Sequence, residues 1–575
     1  MLYSKFAEAC GLLEKTPSKL KKTDIVAGLF RETSTDDLPM LATMVQGKLW
    51  PAWYEEEAGI ADKTMLKVLA SMGYSEKEAG DELKKTGDLG LVAEKFAGRK
   101  KQSTLFSQKL TVKKVFENLR MLASVEGHGS QERKQKIISE LLHNAGPAEA
   151  KYIVRQAMQD MRIGVAEGIA RDAIVIAFLA KEGKELKEMK EETGAVEWAW
   201  FLRPDYGEVA LIAKKEGLKG LKDAKLKLGE PIQPLLAEKA GSLEEALTSF
   251  ENPVLEFKYD GARIAVHKKG DRVWLYTRRL ENVTKQFPDI VELVRKNIKA
   301  ENCLIEGEAL AVNRETGKPV PFQVLSQRVH RKYDIEEISG KIPVQVNLFD
   351  IVYLDGEQLF DKPMRERRSL LEGVVKAVPG KFQLAKQLVT KDLKEAGRFY
   401  REALAANQEG VMVKNLDAPY QPGRRVAGGW LKVKPIMETL DLVITGAVWG
   451  TGKRAGWFGS FMLSCRDAET GGFLECGMLG TGIKEKKETE NDITFTELTK
   501  TLKPHVLSET RDIIRIRPKI VIEVAYEEIQ RSPNYSSGFA LRFPRMIRVR
   551  YDKSMNEADS KERIKALFSI QKGGR

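Results

Sequence analysis

The chain is poor in cysteine and histidine. Its 575 residues hold four cysteines, Cys10, Cys303, Cys465 and Cys476, and five histidines, His128, His143, His267, His330 and His505. None stands at a paired metal-ligand spacing. A zinc module is therefore not expected, and the cysteines read as reduced, small hydrophobes. No apolar run approaches the roughly 20 residues that span a bilayer. The first residues, Met1 to Cys10, read as an amphipathic helix with Leu2, Phe6, Ala9, Cys10 and Leu13 near one face. They lack the apolar core and cleavage site of a signal peptide, so an intracellular, cytoplasmic protein without membrane attachment is expected. There is no repeat array and no low-complexity tract. A Walker-type phosphate loop is missing too. The nearest string, Gly450-Thr-Gly-Lys453-Arg454, lacks the upstream glycine spacing and the Ser or Thr, which argues against a helicase or pump.

What is present is positive charge and length. Ninety-five Lys and Arg against 82 Asp and Glu leave +13, with a pI near 9.2, which favours a polyanionic partner. The length suggests three or four domains. To about residue 220 the apolar spacing is helical, interrupted by the cations Arg99, Lys100 and Lys101 in a stretch that by itself reads as a solvated loop. Two prolines in Gly229-Glu-Pro-Ile-Gln-Pro234 end that texture, and strands follow to Lys434. Beyond Pro435 come short strands bounded by glycine, Leu440–Val448, Phe461–Cys465, Phe473–Met478 and Ile520–Tyr526, which fit an OB-fold barrel. A charged helical interlude over Glu485–Leu502 and a last helix near Ser560–Phe568 complete it. The expected architecture is an all-helical domain over 1–222, a mixed α+β domain with antiparallel sheets over 223–435, and an OB-fold barrel over 436–575.

One stretch organises the centre: Val254-Leu-Glu256-Phe-Lys258-Tyr-Asp260-Gly261-Ala-Arg263. At strand period Glu256 and Lys258 share a face, while Leu255, Phe257 and Tyr259 share the other. Asp260-Gly261 signals a turn, and strand pattern resumes at Arg263. A lysine amine beside a carboxylate and an arginine is a candidate covalent nucleophile once deprotonated. Alone, the pattern is matched equally by a surface hairpin with a wet, charged face. Five more strands carry charge on one face: Tyr276-Thr-Arg278-Arg279, Leu304-Ile-Glu306-Gly-Glu308, Leu348-Phe349-Asp350, Glu409-Gly-Val-Met-Val-Lys414 and Trp430-Leu-Lys432-Val-Lys434. Each alone reads as solvated strand charge. Together they gather the cations, carboxylates and aromatic that a nucleotide and its metal require.

In this order the six motifs resemble the covalent nucleotidyltransferase superfamily, and most closely the ATP-dependent DNA ligases of the archaeal and eukaryotic replicative type. Lys100–Phe106 and Asp160-Met-Arg162-Ile-Gly164 are similar to the helical DNA-binding domain of those ligases, and Ala540–Lys553 to the closing motif of their OB domain. The resemblance implies that Lys258 attacks the α-phosphorus of ATP and holds AMP as a phosphoramidate. Glu256 would meet adenine through its backbone, and Phe349 would stack on the base. Arg263 and Glu308 would grip the ribose, and Arg278 would reach phosphate. Glu409, with Glu308, would bind Mg²⁺, and Lys432 and Lys434 would contact the α-phosphate. Arg542, Arg545, Arg548 and Lys553 would orient pyrophosphate. Arg99, Lys100, Lys101 and Arg162 would contact DNA.

Between Arg425 and Lys432 the chain is one residue longer than the spacing the resemblance implies; both Arg424 and Arg425 are candidates for the AMP contact, and Arg425 is preferred. The implied partner is nicked double-stranded DNA in replication, repair and recombination. A sliding clamp, sought near Lys101–Phe106, and a monomeric, nucleoid-associated state are further family-level expectations. An mRNA-capping guanylyltransferase or RNA ligase shares the lysine chemistry, but the large helical domain before Lys258 speaks against both. A non-catalytic nucleic-acid-binding protein predicts no covalent label. NAD-dependent ligases carry a four-cysteine zinc module that these cysteines cannot form.

Overall fold

Several of the helices between Tyr3 and Lys222 begin where the sequence supplies a capping side chain: Ser18, Ser75, Asp88, Thr111 and Asp205. In a computed structural model, the described residues are 1–99, 109–125, 127, 129–180, 185–329, 331, 334–423, 429–435, 437–450, 454, 456–489, 492–510 and 513–571. Helix Tyr3–Lys15 buries Tyr3, Phe6, Ala7, Cys10 and Leu13. Leu2, expected on that face, precedes the helix and is exposed. Helix Leu89–Gly98 starts at Asp88, whose carboxylate accepts from the Gly90 amide at 2.8 Å. The same carboxylate accepts from Arg155 Nη2 at 2.6 Å, and Arg155 also donates to Glu14. Burial pushes the Glu14 carboxyl up, but Arg155, Lys151 and Tyr152 outweigh it and hold it at about 2. One buried guanidinium thus ties three helical segments together.

Contacts divide the chain into two units: residues 1–256, 260–391 and 413–431, and residues 257–259, 392–412 and 432–575. Beyond the helices, the first unit holds most of two sheets, although residues 257–258 of β2, 410–412 of β10 and 432–433 of β11 fall in the second unit. Strands β1 (Glu238–Lys239), β2 (Pro253–Lys258), β3 (Ala262–Lys269), β4 (Arg272–Thr277), β5 (Asn302–Ala311), β6 (Val344–Leu354), β7 (Glu357–Gln358), β8 (Phe382–Leu384), β9 (Gln387–Val389), β10 (Gly410–Asn415) and β11 (Trp430–Val433) follow in chain order. The sheets run β1-β11-β10-β2-β9 and β4-β3-β5-β6-β7, with β8 parallel to β6. The turn at Asp260-Gly261 therefore does not close a hairpin. It carries the chain from one sheet into the other. Glycine is needed there because a Cβ on Gly261 would lie 2.3 Å from the Ala309 carbonyl oxygen. Ile264, Val266, Leu275, Ile305, Val346 and Ile351 fill the core of the second sheet.

The second unit is mostly the C-terminal strands β12 (Leu440–Trp449), β13 (Phe458–Arg466), β14 (Phe473–Leu479), β15 (Val506–Glu509), β16 (Ile514–Ile516), β17 (Val521–Ala525), β18 (Glu528–Arg531), β19 (Phe539–Arg542) and β20 (Arg545–Val549). β12 pairs with β13 along one side. On the other it pairs with β17 over Leu440–Val443 and with β16 at Gly446 and Ala447. This is the strand-rich C-terminal domain read from the sequence. The helical interlude is shorter than expected. The helix spans only Phe495–Leu502 and starts at Thr494, which forms a capping box with Glu497. The Glu and Lys run before it has almost no apolar side chain to bury. The last helix is Lys561–Gln571.

Candidate active site

In the first unit the sheets bury carboxylates, and each has its own cation. Arg263 on β3 donates through Nη2 to both oxygens of Glu306 at 2.7 Å, and through Nη1 to the Leu235 carbonyl at 2.5 Å. Asp350 on β6, opposite Glu306 in register, accepts from Arg367 Nε at 2.8 Å and Nη2 at 2.9 Å. Glu256 on β2 accepts from Gln387 at 2.6 Å and stands 2.5 Å from the Lys414 ammonium. All three carboxylates are no more than 2% exposed. Charges so deeply buried persist only when paired. Burial lowers the Lys414 ammonium below its ordinary value, and Glu256 restores it only in part. For Arg263 burial also pushes downward, but Glu306 reverses this and the guanidinium ends above its ordinary value.

The aromatics close this assembly. Lys414 Nζ lies 4.1 Å from the Trp430 ring centroid and 4.6 Å from that of Phe349, and Arg263 lies near both rings. Phe349 and Trp430 meet edge to face at 5.7 Å. A cleft beside them is lined by Pro231, Pro234, Arg263, Tyr276, Arg278 and Glu306. It brings together Arg263 and Arg278, two of the cations read from the sequence. Arg278 lies just past the end of β4 and is exposed. Glu308, half-buried on β5, is opposite Arg263 in the ladder.

The second unit carries Lys258. Its ammonium lies 2.7 Å from Glu409, and Lys434 lies 2.7 Å from the same carboxylate and 3.0 Å from Glu527. Backbone pins the pair as well, since the Glu409 amide donates to the Lys258 carbonyl at 2.9 Å. Gly410 follows at φ +136°, where an added Cβ would meet the Val433 carbonyl at 2.2 Å. Burial raises the Glu409 carboxyl, but Lys258 and Lys434 outweigh it and hold the group at about 2. The nearest charged partner of Lys258 is thus an anion, Glu409. Lys432, half-buried on β11, precedes Lys434 by two residues.

Among the closing-motif residues, Arg542 pairs with Glu528 at 3.3 Å, Arg548 with Glu523 at 2.7 Å and Lys553 with Asp441 at 2.6 Å. Arg545 is exposed on β20. In the helical part Arg99 is exposed, whereas Arg162 pairs with Asp160 at 2.7 Å and Asp88 at 3.4 Å. Lys100, Lys101, Arg424 and Arg425, with the stretch to Phe106, lie outside the described residues. Sequence reasoning left Glu306, Lys414 and Glu527 out of the candidate site. The first two stood in motifs already quoted, and their strand phase was the available signal; Glu527 gave none.

Three family models match the chain: DNA ligase N terminus over residues 2–175, ATP dependent DNA ligase domain over 234–434, and ATP dependent DNA ligase C terminal region over 454–553. A DNA ligase of Nanoarchaeum equitans is 48% identical over all of this chain and 99% of its own. A DNA ligase of Thermococcus onnurineus is 45% identical over 99% of this chain and 98% of its own. The solved structure titled Pmar-Lig_Pre shares the fold, with a TM-score of 0.56 and 17% identity over 95% of this chain and 99% of that one. The protein belongs to the ATP-dependent DNA ligases.

Proposed function

We propose that Lys258 is the nucleophile through which this ligase takes AMP from ATP. The enzyme seals nicks in duplex DNA. The Lys258 amine attacks the α-phosphorus, an N–P bond forms as the bond to the β-phosphate oxygen breaks, and pyrophosphate leaves with the electron pair. The amine proton passes to solvent. AMP then moves to the 5′-phosphate of the nick, and the 3′-hydroxyl displaces it to make the phosphodiester. Charge accumulates on phosphoryl oxygens in every step, so positioning and cations supply most of the catalysis.

The observation that carries this reading is the row Lys258–Glu409–Lys434. It sets a lysine on the ligase motif beside a second cation, with a shared carboxylate between them. The reading gives Phe349 the base, the backbone of Glu256 the adenine edge, and Arg263 and Glu308 the ribose. Arg278 would take the 5′-phosphate, Arg425 the AMP, and Lys432 and Lys434 the α-phosphate. Arg545 would meet pyrophosphate with Arg542, Arg548 and Lys553, the last three after exchanging their present carboxylate partners.

Magnesium fits the proposed donors. Glu409 is ionised far below neutral pH, and Glu308 would be its companion. Among the described residues no group of three or more His, Cys, Asp or Glu could hold a metal alone. An ion held by one or two carboxylates and the substrate phosphates needs no such group. When bound, it would neutralise phosphate charge.

Residues 1–222 would bind DNA with help from Arg99, Lys100, Lys101 and Arg162, residues 223–435 would carry adenylation, and residues 436–575 would form the OB domain. No helix among the described residues is long and apolar enough to cross a membrane. An intracellular monomer that meets a sliding clamp through Lys101–Phe106 completes the proposal. Incubation with labelled ATP or labelled GTP tests the reaction class: label from ATP supports it, whereas label from GTP alone, or no label, overturns it.

A further inference from the structure

We propose that Glu527 is an internal competitor for the phosphates of ATP, holding Lys434 until the nucleotide displaces it. The inference rests on the reading of Lys434 as a phosphate-binding lysine. The Lys434 ammonium sits between two carboxylates, Glu409 at 2.7 Å and Glu527 at 3.0 Å, and Glu409 also holds Lys258. Two cations and two anions therefore form one neutral row. The two carboxylates differ in burial. The Glu409 side chain is 21% exposed and pinned by two lysines, while that of Glu527 is 51% exposed and, among the described residues, pairs with Lys434. Glu527 is the end of the row that can leave.

Its position gives it that freedom. Glu527 lies in the turn between β17 and β18, and the next residue, Glu528, holds Arg542. Adjacent carboxylates thus engage two cations that the ligase reading assigns to phosphates. An ammonium has three donors. Glu409 and Glu527 take two of those of Lys434, so a phosphate oxygen that approaches the third comes up against the Glu527 carboxylate. Like charges at such range repel, and the phosphate gains Lys434 fully only as Glu527 withdraws. Glu527 would therefore lower the apparent affinity for ATP without touching the bond-making step.

The test is Glu527→Gln in the full-length enzyme, with Lys258 adenylylation followed by rapid mixing across ATP concentrations. The expected result is a half-saturating ATP concentration about two- to fivefold lower, the range of a partly exposed ion pair, with an unchanged maximal rate. Sealing of a nick that already carries AMP, which needs no ATP, should be unaltered. Glu527→Ala serves as a second variant and should behave alike. A half-saturating concentration that stays the same or rises in both variants would overturn the proposal, as would a loss confined to the maximal rate. Failure of the underlying reading is distinguishable: a wild-type chain that takes no label from ATP overturns the ligase assignment of Lys258, and the competitor with it.

Discussion

Arg263 stands directly across the β3–β5 ladder from Glu308, yet its guanidinium crosses the diagonal and closes on Glu306. Glu306 is buried, and Glu308 is the half-buried carboxylate of the two. Removing the inner partner should be costly. Glu306→Ala strands a buried guanidinium, and breaking such a pair costs roughly 3–5 kcal/mol. Urea unfolding of the variant should show that loss, with Glu306→Gln milder. An unchanged midpoint would mean that Arg263 finds another partner.

Glu409 makes acid stability depend on the lysine row. Its folded carboxyl titrates near 2, against an ordinary value of 4.5, so its contribution to stability is complete above about pH 4.5. That contribution fades as pH falls from there through about 2. The stability difference between the wild type and Glu409→Gln should therefore shrink across that window. A difference that stays constant from pH 6 to pH 2 would show that the row does not form in solution.

DNA affinity should separate Arg99 from Arg162. Phosphate contacts release counterions, so log affinity falls with log salt by about 0.9 per contact. Arg99 is exposed, while Arg162 already holds Asp160 and Asp88. Arg99→Ala should reduce the salt slope by about one unit, and Arg162→Ala by less, in titrations of a nicked duplex. Equal slopes for both variants and wild type would remove these residues from the DNA surface.

Much of this was legible in the sequence because strand phase is local. Lys258, Glu409 and Lys434 stand in quoted motifs, and the structure brings them into one row. What local phase cannot carry is the partner. Charges that each read as solvated prove buried at Glu256, Glu306, Asp350 and Lys414, because a second sheet or helix covers the face expected to be wet. Asp260-Gly261 read as a hairpin turn, since nothing within ten residues says that the next strand joins another sheet. β5 and β6 also slip register between Glu306 and Gly307, which sequence alternation does not encode. Glu527 was invisible for a simpler reason: it meets Lys434 across 93 residues of chain.

The most direct test of the central claim is intact-protein and peptide mass spectrometry after incubation with ATP and Mg²⁺. One adenylyl group on the peptide that contains Lys258, absent from Lys258→Ala along with nick sealing, is the predicted result. An unmodified chain, an adduct on a different lysine, or a Lys258→Ala enzyme that still seals nicks would contradict it.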